Sequence, residues 1–376
     1  MPRISFDIAV SADCPCERVV VAGTDPALGD WQPEKGLALD RDTDGHWRGF
    51  TDVPHGLVEF KITRGTWESE ESYRDGTPCL NYQYLVIHDL TITAEVEHWR
   101  DCEPWPDELI RGRAIECELD ATLLGEHRRV YVWLPPGYLR TNDSRHPVLY
   151  LLDGQDSLLA LSSPENETLE TDEWVCRLSA EGLMPELILV AVCHGESFGR
   201  RDTELSPQCD GPRMADFLVN DLKPFIDFTF CRDRTLPDPE HTGVLGFSLG
   251  ASLALYMAAR HAHTFGRFAC LSTDFEDLSI DPPDACELIR IVESEKSFRP
   301  AGRRLYFDHG TIGIDKIVGE YQQKLDTVLM AKGFVQGRDF KTISHEGTEH
   351  HLSAWRARLG APLLFLFGSP PSKIAN

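Results

Sequence analysis

A short apolar run, Gly243-Val244-Leu245, leads into Gly246-Phe247-Ser248-Leu249-Gly250 and then into a stretch with helical spacing, residues 251–259. No other feature constrains the fold as tightly, because a strand must turn sharply into a helix within five residues. Glycines on both flanks let strand and helix pack with no side chain between them. The serine at the tip takes a strained backbone conformation that holds its hydroxyl clear. It stands at the start of a helix whose free N–H groups favour negative charge. Ser248 is therefore a candidate nucleophile.

The surroundings agree with a sheet covered by helices. Apolar runs recur at residues 129–134, 148–152, 187–192, 243–245, 268–272 and 304–307, with helical patterns between them, such as residues 214–226. Continuous apolar strands alternating with helices predict a doubly wound, mostly parallel α/β sheet. Residues up to about 100 read differently. Strand-like segments at 1–10, 18–22, 46–51, 58–64 and 82–87 are separated by Gly, Pro and Asp turns with no helical period, which predicts a small all-β sandwich. The polar, proline-bearing stretch 101–109 reads as a linker. The expected organisation is a sandwich over 1–100, the linker, and an α/β domain over 110–376.

A formal net charge of −24 over 376 residues argues against nucleic acid or anionic membrane as a partner, since both require basic patches. Mean hydropathy is −0.28, and no apolar run approaches the ~20 residues that span a bilayer. The N-terminal residues alternate like a strand and lack the apolar block of a signal peptide, so a cytoplasmic protein is expected, or one whose leader has been removed. Eleven cysteines show no CxxC pairs. Several, such as Cys193 and Cys270, lie in apolar strands, which predicts reduced core thiols. Cys14-Pro15-Cys16 is too tight for a zinc ligand pair. Neither a metal site nor a cofactor is expected.

A serine nucleophile needs a base, and the base needs an orienting acid. In this topology both follow the serine, acid first, on loops at the carboxyl ends of strands. Residues 344–356 offer His345, His350 and His351. Gly347-Thr348-Glu349-His350 followed by Trp355-Arg356-Ala357-Arg358-Leu359 resembles the esterase D-like group of α/β-hydrolases, which includes enterochelin and feruloyl esterases. Leu151-Leu152-Asp153-Gly154-Gln155 and Arg201-Asp202-Thr203-Glu204-Leu205-Ser206-Pro207 match further elements of that group in the same order. The resemblance covers roughly residues 110–370 and implies an α/β-hydrolase fold, carboxylic-ester hydrolysis and His350 as the base. It also implies two oxyanion donors, the backbone N–H of Leu249, the residue after the nucleophile, and one in the turn at Gly154 and Gln155. The group often carries Gly-Thr-x-Asp or Gly-Thr-x-Glu for the acid. Here the segment reads Gly310-Thr311-Ile312-Gly313-Ile314-Asp315, so Asp315, in the loop, is the expected acid and Asp308 the alternative. Arg201 and Glu204 are expected to form a salt bridge beside the pocket or to touch substrate. His194, at a strand end, is a further pocket candidate.

Leu28-Gly29-Asp30-Trp31, the strand Val58-Glu59-Phe60-Lys61-Ile62, and Thr66-Trp67-Glu68-Ser69 resemble starch-binding domains of the CBM20 type, over roughly residues 1–100. The resemblance implies that Trp31 and Trp67 form a platform for sugar faces, with Lys61 beside them. An insert, residues 70–80, separates Trp67-Glu68-Ser69 from Asn81, where that family has Asn-Arg at once. The expected function is a serine esterase acting on a small-molecule or glycan-linked ester. An acyltransferase of the same fold, and a catalytically weak carbohydrate-binding protein, are the alternatives.

Overall fold

The computed structural model describes residues 1–11, 16–72, 76, 78–79, 81–102, 112–140, 144–161, 167–231, 234–275 and 286–368. The chain divides into two compact units, Met1–Arg111 and Gly112–Asn376. Of the expected linker, residues 103–109 lie outside the described residues. Asp101 pairs with Arg64 of the first unit.

The first unit is all β. Its strands are β1 (Arg3–Val10), β2 (Val19–Gly23), β3 (Leu37–Arg41), β4 (Trp47–Asp52), β5 (Gly56–Thr63), β6 (Glu71–Ser72), β7 (Tyr82–Val86), β8 (Leu90–Val96) and β9 (His98–Trp99). Seven of them form one sheet in the order β7-β5-β2-β3-β4-β1-β8, and β6 pairs with β9. Period-two alternation turns Ile4, Phe6 and Ile8 of β1 and Val58, Phe60 and Ile62 of β5 into one core. Phe6 meets Phe60 edge-on with ring centroids 5.2 Å apart, and Phe60 stacks on Tyr82 at 4.9 Å. Residues from distant strands of one sheet thus share an interior. The sheet doubles over on itself, and its two inner faces pack as in a sandwich.

The second unit is an α/β-hydrolase fold. Its strands are β10 (Arg113–Ala121), β11 (Glu126–Leu134), β12 (Val148–Leu152), β13 (Ile188–Val192), β14 (Thr242–Phe247), β15 (Arg267–Leu271), β16 (Arg304–Gly310) and β17 (Phe340–His345). They lie in the order β10-β11-β13-β12-β14-β15-β16-β17. β11 is antiparallel to β10 and to β13; the remaining pairs are parallel. Every residue of β12, β13, β14 and β15 is buried, as expected where helices cover both faces. The helices are α1 (Pro136–Arg140), α2 (Thr171–Ala180), α3 (Arg200–Leu205), α4 (Gly211–Phe217), α5 (Leu249–Arg260), α6 (Glu287–Ser294), α7 (Ile314–Ala331), α8 (Leu352–Arg358) and α9 (Gly360–Phe367). The helical pattern at 214–226 continues beyond α4 as two π-helical turns, Leu218–Leu222 and Phe225–Phe230. Pro224 stands between them, and its missing N–H removes an i→i−4 bond that a regular helix would need.

Phe60 touches both halves of the sandwich core. Phe60→Ala is expected to destabilise the first unit by about 3–5 kcal/mol, read as a lower urea midpoint for that unit's transition.

Candidate active site

The carboxyl ends of the parallel strands carry the candidate residues: Asp153 after β12, Ser248 after β14, Ser272 after β15, Asp308 near the end of β16, and His350 in the loop after β17. Ser248 has φ 53° and ψ −125°, a conformation that costs a non-glycine residue of order 1–3 kcal/mol. Its backbone is pinned from both sides: its N–H donates to Leu271 O at 2.9 Å, and its carbonyl accepts from Asp274 N at 3.1 Å. The flanking glycines are required by space. A Cβ on Gly246 would lie 2.3 Å from the Gly250 carbonyl, and one on Gly250 would lie 2.9 Å from Asp153 Oδ2. Leu249 opens α5, so its N–H has no acceptor within the helix.

His350 Nε2 is 2.9 Å from Ser248 Oγ, and His350 Nδ1 is 2.7 Å from Asp315 Oδ1. Asp315 lies in the first turn of α7 rather than in the loop expected from its sequence neighbours; the glycine at 313 ends the loop two residues earlier. Its side chain is fully buried. Burial pushes the Asp315 carboxyl up, but hydrogen bonds from His350, from Gly310 N–H at 2.7 Å and from Ser272 Oγ at 2.9 Å outweigh it and hold the group below the usual aspartate range. An ionised carboxylate only accepts, so His350 carries its proton on Nδ1 and offers a lone pair at Nε2 to the Ser248 hydroxyl.

Asp308, the alternative acid, forks with Arg358 instead, at 2.9 and 3.2 Å. Burial pushes its carboxyl up to about 6 against the pull of Arg358. His345 lies 3.9 Å from Asp308. His351 is exposed and caps α8, its Nδ1 accepting from Ser353 N at 3.3 Å. Trp355 packs edge-on against His350 at 4.9 Å and stacks on Phe247 at 4.8 Å. Ser272 was not singled out as a site residue in the sequence, yet its buried hydroxyl meets Asp315, Trp355 and Arg358.

The expected Arg201–Glu204 bridge does not form. Arg201 forks instead onto buried Asp153, at 2.7 and 2.9 Å. Glu204 accepts from Arg128 at 2.8 Å, Arg200 at 2.6 Å and Gly195 N at 2.9 Å. In the short helix α3, i,i+4 spacing gives Glu204 to Arg200 and leaves Arg201 facing Asp153. Gly154 and Gln155 form a 3-10 turn directly after Asp153. The Gln155 side-chain amide meets His194 Nε2, while His194 Nδ1–H donates to Gly195 O at 2.8 Å. A cavity of about 250 Å³ opens beside them, lined by Arg129, Tyr131, Gln155, Leu161, Cys193, His194 and Glu196.

In the first unit, Trp31 and Trp67 are half-buried neighbours with ring centroids 6.1 Å apart. Neither belongs to the sandwich core. Lys61 Nζ bonds to Glu70 at 2.5 Å, and Glu70 also accepts from Arg100 at 2.7 Å. Part of the 70–80 insert forms β6; residues 73–75, 77 and 80 lie outside the described residues. Cys193 and Cys270 are free and buried; Cys14 lies outside the described residues. Among the described residues no cluster of three or more His, Cys, Asp or Glu could hold a metal ion, and no helix is long and apolar enough to cross a membrane.

Comparison with known proteins identifies the family. The family described as "Putative esterase" matches residues 121–365, and the starch binding domain family matches residues 2–96. The chain therefore belongs to this esterase family and carries a starch-binding-type domain ahead of it. A ferulic acid esterase of known structure is 19% identical, with a TM-score of 0.54 over 68% of this chain and 98% of that one. The enterobactin esterase from Shigella flexneri is 16% identical, with a TM-score of 0.53 over 93% of this chain and 88% of that one. At these identities the likeness is one of fold. An uncharacterized protein from Bacillus subtilis (strain 168), YbbA, is 24% identical over 250 residues, 61% of this chain and 90% of that protein.

The depressed Asp315 carboxyl sets a pH dependence. Its folded value lies below its unfolded one, so its contribution is complete above the unfolded value near ~3.9 and is lost as pH falls toward the folded one. Asp315→Asn should therefore flatten the acid limb of stability. The gap in urea midpoint between wild type and variant should narrow from pH 7 to pH 3.

Proposed function

We propose that the chain is a serine esterase that hydrolyses a carboxylic ester through an acyl-enzyme, with its N-terminal unit as a carbohydrate-binding module. The single observation that carries this reading is the continuous relay Ser248–His350–Asp315, with links of 2.9 and 2.7 Å, behind an elbow that strains the serine. Ser248 attacks the ester carbonyl while His350 Nε2 takes its proton. Asp315 stabilises the imidazolium that forms. The tetrahedral oxyanion is met by the N–H of Leu249 and by an N–H of the Gly154–Gln155 turn. His350 then protonates the leaving alcohol, and water repeats the sequence on the acyl-enzyme.

The cavity beside Gln155 and His194 lies next to that turn and would receive one side of the ester. Small-molecule or glycan-linked esters fit this role. The named substrates of two proteins that share the fold, ferulic acid esters and enterobactin, supply a first panel. The Trp31–Trp67 pair supports a glycan partner, because two adjacent half-exposed indoles outside the core offer apolar faces to sugar rings.

Ser248→Ala is expected to lower turnover of an aryl ester on the order of a thousandfold or more with the fold retained. His350→Ala should match it. His351→Ala, which removes only a helix cap, should cost about 1 kcal/mol of stability and leave turnover within a few-fold. Steady-state kinetics with far-UV circular dichroism checks all three; near wild-type turnover in Ser248→Ala would remove the serine mechanism.

Trp31→Ala and Trp67→Ala should weaken retardation in amylopectin gels, by roughly 1–3 kcal/mol if stacking on sugar resembles base–aromatic stacking. Hydrolysis of a soluble ester should be unchanged. A wild-type protein that migrates identically with and without amylopectin would exclude glycan binding.

A further inference from the structure

We infer that Ser272 is a positioning residue for the triad: its hydroxyl fixes how Asp315 faces His350, and Trp355 with Arg358 fixes the hydroxyl. The inference rests on the reading of Ser248, His350 and Asp315 given above. It begins from valence. An indole N–H and a guanidinium can only donate, and a hydroxyl has one proton and two lone pairs. Trp355 Nε1 donates to Ser272 Oγ at 2.9 Å, and an Arg358 terminal nitrogen donates at 3.0 Å. Both lone pairs are then occupied. The one proton goes to the remaining neighbour, Asp315 Oδ2 at 2.9 Å. Most serine hydroxyls rotate to suit their surroundings; this one has a single setting.

That setting has consequences at the triad. Asp315 Oδ2 receives two donors, Ser272 Oγ and Gly310 N, and Oδ1 faces His350 Nδ1. The carboxylate is held at one end so that the other is aimed. Water has little access to substitute, since Ser272 is fully buried and Trp355 and Arg358 are 5% and 8% exposed. Trp355 also presses on the His350 ring and on Phe247, the residue before the nucleophile. One helix, α8, therefore references the base, the acid and the elbow together. The backbone of Ser272 reinforces the point. Its φ is 46°, an uncommon value for a non-glycine residue, and its N–H is tied to Asp308 O at 2.8 Å. The strain sits at the end of β15, where the hydroxyl has to reach across to α7.

The test compares Ser272→Ala, Ser272→Gly and Trp355→Phe in the full chain, with Ser248→Ala alongside. Ser272→Gly removes the hydroxyl at a backbone angle glycine adopts freely, so it carries the test should Ser272→Ala fail to fold. We expect kcat on a small aryl ester to fall roughly ten- to hundredfold, the scale of a slight misplacement of a reacting group, with KM within about twofold. Phosphonylation of Ser248 by a fluorophosphonate should slow by the same factor per folded molecule. The low-field proton resonance of the His350–Asp315 bond should shift or broaden. Trp355→Phe deletes one donor together with the five-membered half of the indole and keeps a six-membered ring between His350 and Phe247, so its loss should stay under about fivefold, because Arg358 still orients the hydroxyl. A folded Ser272→Gly with unchanged kcat, beside an inactive Ser248→Ala, would overturn the role of Ser272 and leave the serine mechanism standing. A large loss in Trp355→Phe with none in a folded Ser272→Gly would assign the effect to ring packing and overturn it too. An active Ser248→Ala would remove the serine mechanism itself.

Discussion

Helix α5 starts where it does because Gly246 and Gly250 have no side chains to separate them. With a hypothetical Cβ only 2.3 Å from the facing carbonyl, no other residue fits at Gly246 without pushing the helix off the sheet. That close approach forces the residue between them into positive φ, and this conformation raises the Ser248 hydroxyl toward His350. The elbow is rigid because it is tied on both sides to the end of β15 through Leu271 and Asp274. Displacing α5 by a single methyl group would move the serine relative to a histidine that comes from a different strand end, and a 2.9 Å contact tolerates little of that.

Around the elbow the fold must keep buried charge satisfied. Asp308 and Asp153, at strand ends, and Asp315, in the first turn of α7, are all buried carboxylates, and each has a distinct set of donors: His350, Ser272 and Gly310 N for Asp315, Arg358 for Asp308, Arg201 for Asp153. Leaving any of them unpaired would cost several kcal/mol. The Trp-x-x-Arg spacing of residues 355–358 acquires a physical meaning here. Positions i and i+3 share a helix face, so both side chains of α8 reach the Ser272 hydroxyl, and Arg358 goes on to neutralise Asp308. Asp153 likewise closes the floor under Gly250 while holding Arg201 in place, with the turn that carries Gly154 and Gln155 directly after it.

The first unit solves a different problem with the same economy of residues. Alternation along β1 and β5 sends Phe6 and Phe60 inward to meet across the doubled sheet, which leaves the two indoles of Trp31 and Trp67 outside that core. Trp31 follows Asp30 at positive φ, a loop shape maintained by the Trp31 N–H bond to Gly23 O at 2.8 Å. Lys61 serves the unit internally, neutralising Glu70 together with Arg100.

Local patterns decide what a sequence can announce. The buried parallel strands were legible as unbroken apolar runs, and the elbow was legible because its glycines, serine and flanking elements are contiguous. Segments with weaker patterns are harder to read: β3 and β10 mix charged residues into their runs, whereas β8 alternates Leu90, Ile92, Ala94 and Val96 with polar residues and carries a strand period. Of the candidate site, Ser248 stood out by its own motif, and His350 was separated from two neighbouring histidines only through the family resemblance. Partners were another matter. The Arg201 side chain has equal freedom in sequence to meet Glu204 or Asp153, and packing gives it to the residue 48 positions away. Ser272 bonds groups 43, 83 and 86 residues distant, and no periodicity or spacing records such contacts. The elements and the candidate nucleophile can be read along the chain, because both depend on sequence neighbours. Which donor meets which carboxylate is settled by folding, because it depends on where separate strand ends and helix starts converge in space.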